Sequence, residues 1–182
     1  ILAGSSSAFL LFGMALIYAQ TGTMELFRLA TSLAGIQNSP LVSAGLTFMV
    51  TGIGFKLGVV PFHLWTPDVY EGAPAPVTAF IATVSKGAIF ALLLRYFHTA
   101  VAQHLQPILV PFAIIAIASM LIGNLLALLQ PNVKRILAYS SIAHMGYLLL
   151  DFEAGGTLPS EASALYLRTD FIPITGARGV VP

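Results

Sequence analysis

Apolar runs of about 20 residues alternate along the chain with short polar clusters rich in proline and glycine, a pattern whose natural unit is the membrane-crossing helix. Five runs are of this kind: Ile1 to Gln20, Leu41 to about Trp65, Val77 to Phe97, Pro107 to Leu129, and Ile136 to about Leu150. The first and fourth carry no charge; the second holds Lys56 and His63, the third Lys86, and the fifth His144. The fifth is short, and lengthens to Val133 if Lys134 and Arg135 reach outward to the interface. In the linker from Thr21 to Pro40, Met24, Leu26, Phe27 and Leu29 suit a small interfacial helix. Thr66 to Pro76 holds Pro67, Asp68, Glu71, Gly72, Pro74 and Pro76 and reads as a turn. Pro74 and Pro76 suit the first turn of the third span, and Pro107 and Pro111 that of the fourth, where a missing N–H costs little. Links this short make neighbouring spans antiparallel.

Composition agrees. Of the 182 residues, 57% are hydrophobic and 8% charged, against roughly 25% charged in a soluble domain. So few charges cannot cover a water-facing surface, and most of the exterior must meet lipid or another apolar subunit. The expected fold class is all-α, a polytopic transmembrane helix bundle. A net charge of +1 offers no basic field for nucleic acid. Cysteine is absent, which excludes disulfides, thiol chemistry and a cysteine-held iron–sulfur cluster in this stretch. The chain opens inside an apolar run without an initiator Met and reads as an internal piece of a longer membrane protein. Lys and Arg near helix ends tie between the two sides, Arg28 and Arg95 against Lys134 and Arg135; the compact second pair is taken as cytoplasmic. From residue 151 to 182 the pattern fails. Arg168, Asp170, Pro173 and Arg178 interrupt the last apolar stretch, and central charges cost about 2.5–3.5 kcal/mol each, so this tail is not expected to span.

Lys56 and Lys86 are the informative residues, because a lysine at membrane depth implies a role or a specific partner. Lys86 lies almost at the middle of its span, and Lys56 about 5 Å beyond the middle of its own at roughly 1.5 Å per residue. Both lie on the side of the shared link Thr66–Pro76, so on packed antiparallel helices one or two waters could bridge them. Two amines at about 10 Å repel by about 1.7 kcal/mol at an effective dielectric near 20, which favours one charged and one neutral. A proton can then pass between them when a nearby charge changes. The plainer reading is a snorkelling or structurally paired lysine; two such lysines on consecutive spans favour the relay.

The helix around Lys56 is weakened by Gly52, Gly54, Gly58 and Pro61, and broken helices mark ion sites in many transporters. Gly54 and Gly58 equally suit close helix packing. His144 shares a helical face with Ser140, Ser141 and Tyr147, a polar stripe that suits either a water wire or a satisfied buried histidine. His63 belongs to the same hydrated path or to the interface beside Trp65. Asp68 and Glu71 read first as solvated loop acids, and second as a coupling point beside Lys56. His98 and His104 carry no specific expectation, and no histidine pair has metal-ligand spacing with an acidic third ligand.

The run from Gly54 to Val77, GFKLGVVPFHLWTPDVYEGAPAPV, followed by Ser85-Lys86, resembles the subunit N family of bacterial proton-pumping NADH–quinone oxidoreductase, respiratory complex I. The run from Asn132 to Tyr147, NVKRILAYSSIAHMGY, is similar to a second stretch of that family. The resemblance implies a subunit of about fourteen helices built from two inverted five-helix repeats, with residues 1–97 closing the first repeat, 98–150 opening the second, and 151–182 an atypical tail. It implies that Lys56 is the lysine of the broken helix, Lys86 that of the following helix, and His144 part of a hydrophilic axis. The family's partner glutamate and final lysine fall outside this stretch, so it is not expected to pump alone. The resemblance further implies a bacterial inner membrane and other membrane subunits of complex I, lipid, protons and internal water as partners. FMN and iron–sulfur clusters are expected in other subunits, with NADH and quinone used by the complex, and no cofactor, metal or nucleic acid bound here. The alternative is a subunit of a sodium/proton antiporter. Those carry Ala-Met and Pro-Thr-Pro around the turn, whereas this chain reads Val69-Tyr70-Glu71-Gly72-Ala73-Pro74-Ala75-Pro76.

Overall fold

The computed structural model describes residues 2–25, 28, 29, 32, 39–96 and 106–153. Helices are α1 (Leu2–Thr21), α2 (Pro40–Leu57), α3 (Trp65–Gly72), α4 (Ala75–Phe80), α5 (Lys86–Tyr96), α6 (Gln106–Leu128) and α7 (Val133–Glu153). A π-helical turn, Ile81–Ser85, joins α4 to α5 and makes them one continuous rod. No strand occurs among the described residues. Pro40–Leu57, Ala75–Leu93 and Val110–Leu128 are long and apolar enough to cross a membrane. The 20 residues of α1 and 21 of α7 match a bilayer's hydrocarbon thickness at roughly 1.5 Å per residue. Four of the five expected spans are helical over their described residues bar one at the end of the fourth, and the second, expected to reach about Trp65, is helical only as far as Leu57. Val110, Ile114, Ile117, Leu121, Leu125 and Leu128 lie exposed on α6 at helical spacing, an apolar face interrupted by Asn124.

Two hairpins dominate, α1 with α2 and α6 with α7. Both are antiparallel, since Gly13 meets Gly45 and Met49 while Gly52 meets Ser6 and Leu10, and Gly123 meets Tyr139 and Ala143 while Gly146 meets Ala116 and Met120. Within lipid, apolar surface drives helices together only weakly, so close backbone approach through small residues supplies the contact. A Cβ on Gly13 would stand 2.5 Å from the Gly45 carbonyl, and one on Gly146 would stand 2.7 Å from that of Ala116. One core joins the hairpins through α5, with Ile53 and Leu57 of α2, Phe90 and Leu93 of α5, Phe112 of α6 and Met145 and Leu148 of α7.

Three expectations need correction. Thr66 to Pro76 is not a plain turn: Trp65–Gly72 is helix α3, because Pro67 falls in its first turn, where no N–H is needed, and Asp68 favours the same end. Pro111 lies inside α6, beyond the first turn that holds Pro107. Gly54 and Gly58 do not make a helix crossing. Gly54 lies against the Phe62 ring, and the α1–α2 crossing uses Gly13, Gly45 and Gly52 instead. The expected helix at Met24–Leu29 falls largely outside the described residues, as do His98, His104 and the tail after Glu153.

Gly13→Ala should therefore lower the stability of the α1–α2 hairpin by about 1–3 kcal/mol, since the added methyl has no space to enter. Gly4, on the same helix with nothing within 4 Å of a would-be Cβ, is the matched control. Gly4→Ala should leave the thermal midpoint of the purified protein unchanged or raised, while Gly13→Ala lowers it.

Candidate functional site

The break in the second span is made by glycine before proline acts. Gly58 adopts φ 68°, ψ 37°, and its N–H donates back to the carbonyls of Gly54 and Phe55. That left-handed cap ends α2 at Leu57. A side chain at 58 would also meet Thr66 Oγ1. The seven residues from 58 to 64 cross to α3 without helical structure. Their polar backbone is not left bare: the Val60 N–H donates to Ser119 Oγ of α6 at 3.0 Å, and Ser119 Oγ donates to the Ile115 carbonyl at 2.6 Å. Trp65 Nε1 donates to the Phe55 carbonyl at 3.1 Å, a second donor there beside the Gly58 N–H. Lys56 stands half-buried in the last turn of α2, where carbonyl dipoles favour a cation by about 0.3–1 kcal/mol. It has no hydrogen-bond or ion-pair partner among the described residues.

Lys86 is the first residue after the π-helical turn, and such turns frequently mark functional positions. It is 1% exposed. Its Nζ donates to Ser141 Oγ of α7 at 2.9 Å and lies over the Tyr70 ring, 5.5 Å from the centroid. One amine thus ties together α3, α5 and α7. The hydroxyl it meets is that of Ser141; Ser140, the serine expected to line up with His144, is only half-buried. His144 is half-buried, with its ring edge-on to Tyr147 at 6.1 Å between centroids. Tyr147 lies exposed, and its hydroxyl accepts from Asn124 Nδ2 at 3.4 Å. His63 and Thr66 are buried at the break, and His63 Nδ1, His63 Nε2 and Thr66 Oγ1 have no hydrogen-bond partner among the described residues. Lys56 and Lys86 lie on packed elements, α2 and α5. No three His, Asp or Glu side chains converge as metal ligands among the described residues.

At the outer end of the site, Asp68 and Glu71 are not free loop acids: both stand on helix α3 and pair with Arg135. Arg135 Nη1 donates to Asp68 Oδ1 at 3.0 Å and to Glu71 Oε2 at 2.7 Å. Asn132 Nδ2 donates to Glu71 Oε1 at 2.7 Å, and Arg135 Nε to Gln130 Oε1 at 3.2 Å. This cluster fastens α3 to the start of α7. The hydrogen bond from Arg135 holds the Glu71 carboxyl below its ordinary value, with the nearby Arg135 charge and Asn132 adding to it. Sequence reading missed the partners Ser141–Lys86, Tyr70 and Arg135. Paired acids three apart at one span end, and the basic pair Lys134-Arg135 at another, in a chain this poor in charge, are the signal that could have found the last.

Two outcomes follow. Ser141→Ala should destabilise the folded protein by about 1.5–3 kcal/mol, the range for a hydrogen bond to a charged group, while Ser140→Ala changes it by less than about 0.5 kcal/mol; thermal unfolding of the two variants separates them. A carboxylate with a lowered folded value stabilises above its unfolded value, here 4.5, and that contribution is lost as pH falls through the folded value. Amide-exchange protection of α3 should accordingly hold from pH 7 to 5 and drop only below 4.5, and Arg135→Gln should remove that step.

The Proton_antipo_M family, described as NADH:quinone oxidoreductase/Mrp antiporter, transmembrane, matches residues 1–170. A curated relative from Nitrosospira multiformis, NADH-quinone oxidoreductase subunit N, is 62% identical over 152 residues, 82% of this chain and 30% of the relative. Its namesake from Methylococcus capsulatus is 50% identical over 184 residues, 99% of this chain and 37% of the relative. Respiratory complex I from Thermus thermophilus, solved with bound aureothin, contains a chain that superimposes with a TM-score of 0.79 at 40% identity, covering 98% of this chain and 38% of that one. The chain thus spans about a third of the length of the curated relatives it matches. With nearly its whole length matched and its helices superimposing, this chain belongs to the NADH:quinone oxidoreductase/Mrp antiporter family of transmembrane proteins.

Proposed function

We propose that this chain is part of the subunit N membrane arm of a bacterial NADH–quinone oxidoreductase, and that it carries protons across the inner membrane as electrons pass from NADH to quinone elsewhere in the complex. The identities to two subunit N relatives support the assignment to complex I over a sodium/proton antiporter. The observation that carries the chemistry is the buried contact between Lys86 Nζ and Ser141 Oγ, which joins the third span to the fifth. In this reading residues 1–97 end one antiporter-like repeat and 98–150 begin the next, so the contact crosses between repeats.

The steps ask little of each group. Lys56, at the broken end of α2, takes up or gives back a proton as the field around it changes. His63 and Thr66, buried and without protein partners among the described residues, supply polar surface that lets water approach the break. Gly58 and Pro61 keep that segment out of helix, while Gly54 stays within α2 and its carbonyl accepts from the Gly58 N–H. Lys86 receives the proton, and its charge then repels any charge left on Lys56. The Ser141 hydroxyl accepts from Lys86 Nζ and holds a proton of its own to hand onward along α7, where the His144 ring can both donate and accept a hydrogen bond. Ser140 and Tyr147 flank the onward path, while Asp68 and Glu71 hold the helix that covers it. FMN and iron–sulfur clusters belong to other subunits, and the other membrane subunits are the chain's neighbours.

Lys86→Ala in the assembled complex should cut proton pumping at least tenfold while native-gel assembly stays normal, and Lys56→Ala should do likewise. Pumping at the unmodified rate in fully assembled Lys86→Ala complex would remove the relay from consideration.

A further inference from the structure

Helix α3 takes no proton in this scheme, yet it is fastened at both ends. Trp65 Nε1 ties its start to α2, and Asp68 and Glu71 tie it to Arg135 and Asn132 at the start of α7. Between these anchors stands Tyr70, also 1% exposed. Its ring packs with Ala82 of the π-helical turn and Ala138 of α7. Ala82 lies one turn before Lys86, and Ala138 one turn before Ser141. Two alanines thus leave room for an aromatic ring beside the relay amine and its hydroxyl partner. Lys86 Nζ lies over that ring.

An aromatic face attracts a cation through its quadrupole and gives a neutral amine almost nothing, and the attraction strengthens where water is excluded. From this placement we propose that Tyr70 is a positioning residue for Lys86, its ring holding the protonated amine against Ser141 and releasing it once the proton has left. The inference rests on the relay reading above and adds a catch that senses charge. The anchors of α3 explain why the ring stays in place while the amine moves: a ring on a loosely held helix would follow the lysine. The rival roles for Tyr70 are simple filling of space and a hydrogen bond from its hydroxyl, and each predicts a different ranking of substitutions.

The experiment is proton pumping by the assembled complex in proteoliposomes, driven by NADH, with assembly checked on native gels. Tyr70→Phe keeps the ring face and should pump within twofold of the unmodified complex. Tyr70→Leu fills similar space without a quadrupole and should lose about tenfold. Replacing Tyr70 by phenylalanine carrying three and then five ring fluorines keeps the shape while draining the quadrupole, and should lower pumping stepwise to about the level of Tyr70→Leu. If Tyr70→Leu does not assemble, the fluorinated series decides alone. A flat series, or a loss in Tyr70→Phe as large as in Tyr70→Leu, overturns the proposal. Lys86→Ala, run alongside, separates the two readings. If it stops pumping while the fluorinated series is flat, only the role of Tyr70 falls; if it pumps normally, the relay falls and the catch with it.

Discussion

An ammonium taken out of water is the constraint around which this bundle is organised. A lysine near the centre of a spanning helix costs about 2.5–3.5 kcal/mol on insertion scales, and the cost grows if the group finds no partner. Among the described residues Lys86 finds two of different kinds, a hydroxyl from α7 and the face of an aromatic ring from α3. Neither is a carboxylate. A full counter-charge would fix the proton in place, whereas a hydroxyl and a ring stabilise the charged form without locking it. The arrangement is compatible with the relay proposed for Lys86.

The broken span serves the same end. Gly58 turns the backbone out of α2 at Leu57, so the chain can leave the second span and set α3 against α7, with Tyr70 reaching Ala82 and Lys86 of the third span. Some backbone groups at the break pair locally, as Gly58 and Phe62 do, and two reach other elements: the Val60 N–H to Ser119 of α6 and the Phe55 carbonyl to Trp65 of α3. The two hairpins, held internally by glycine contacts, are joined by this irregular segment and by the rod that carries Lys86. Arg135, Asp68 and Glu71 close the arrangement from outside the apolar region, where water tolerates their charges. Exposed ion pairs contribute little stability alone, and here the gain is geometric, since they set where α3 lies.

Several parts of the site were legible one element at a time. Lys56, Lys86 and the weakening glycines stand out in the sequence because a charge or a flexible residue is costly within an apolar run. Gly54 shows the limit of such reading. Its spacing to Gly58 suits a helix crossing, but its hydrogen faces the Phe62 ring, because the chain folds back before a second helix can approach. Ser140 and Ser141 are adjacent in sequence, and helical geometry points them about 100° apart. Which of the two meets Lys86 depends on how α7 is rotated against the rod, and nothing local to either serine sets that rotation.

By itself the sequence determined an all-helical fold class, roughly where its spans lie, where one of them fails, and which amines stand within apolar runs. Those properties follow from local chemistry: apolar length against bilayer thickness, the left-handed freedom of glycine, and the cost of a charge in hydrocarbon. Only the tertiary structure decided that Thr66 to Gly72 is helical, that Tyr70 covers Lys86, that Ser141 receives its hydrogen bond, and that Arg135 clamps two acids more than sixty residues away in the chain. Such partners are set by the rotation and offset of packed helices, which depend on the sum of many small contacts. No pattern along a single helix records that sum.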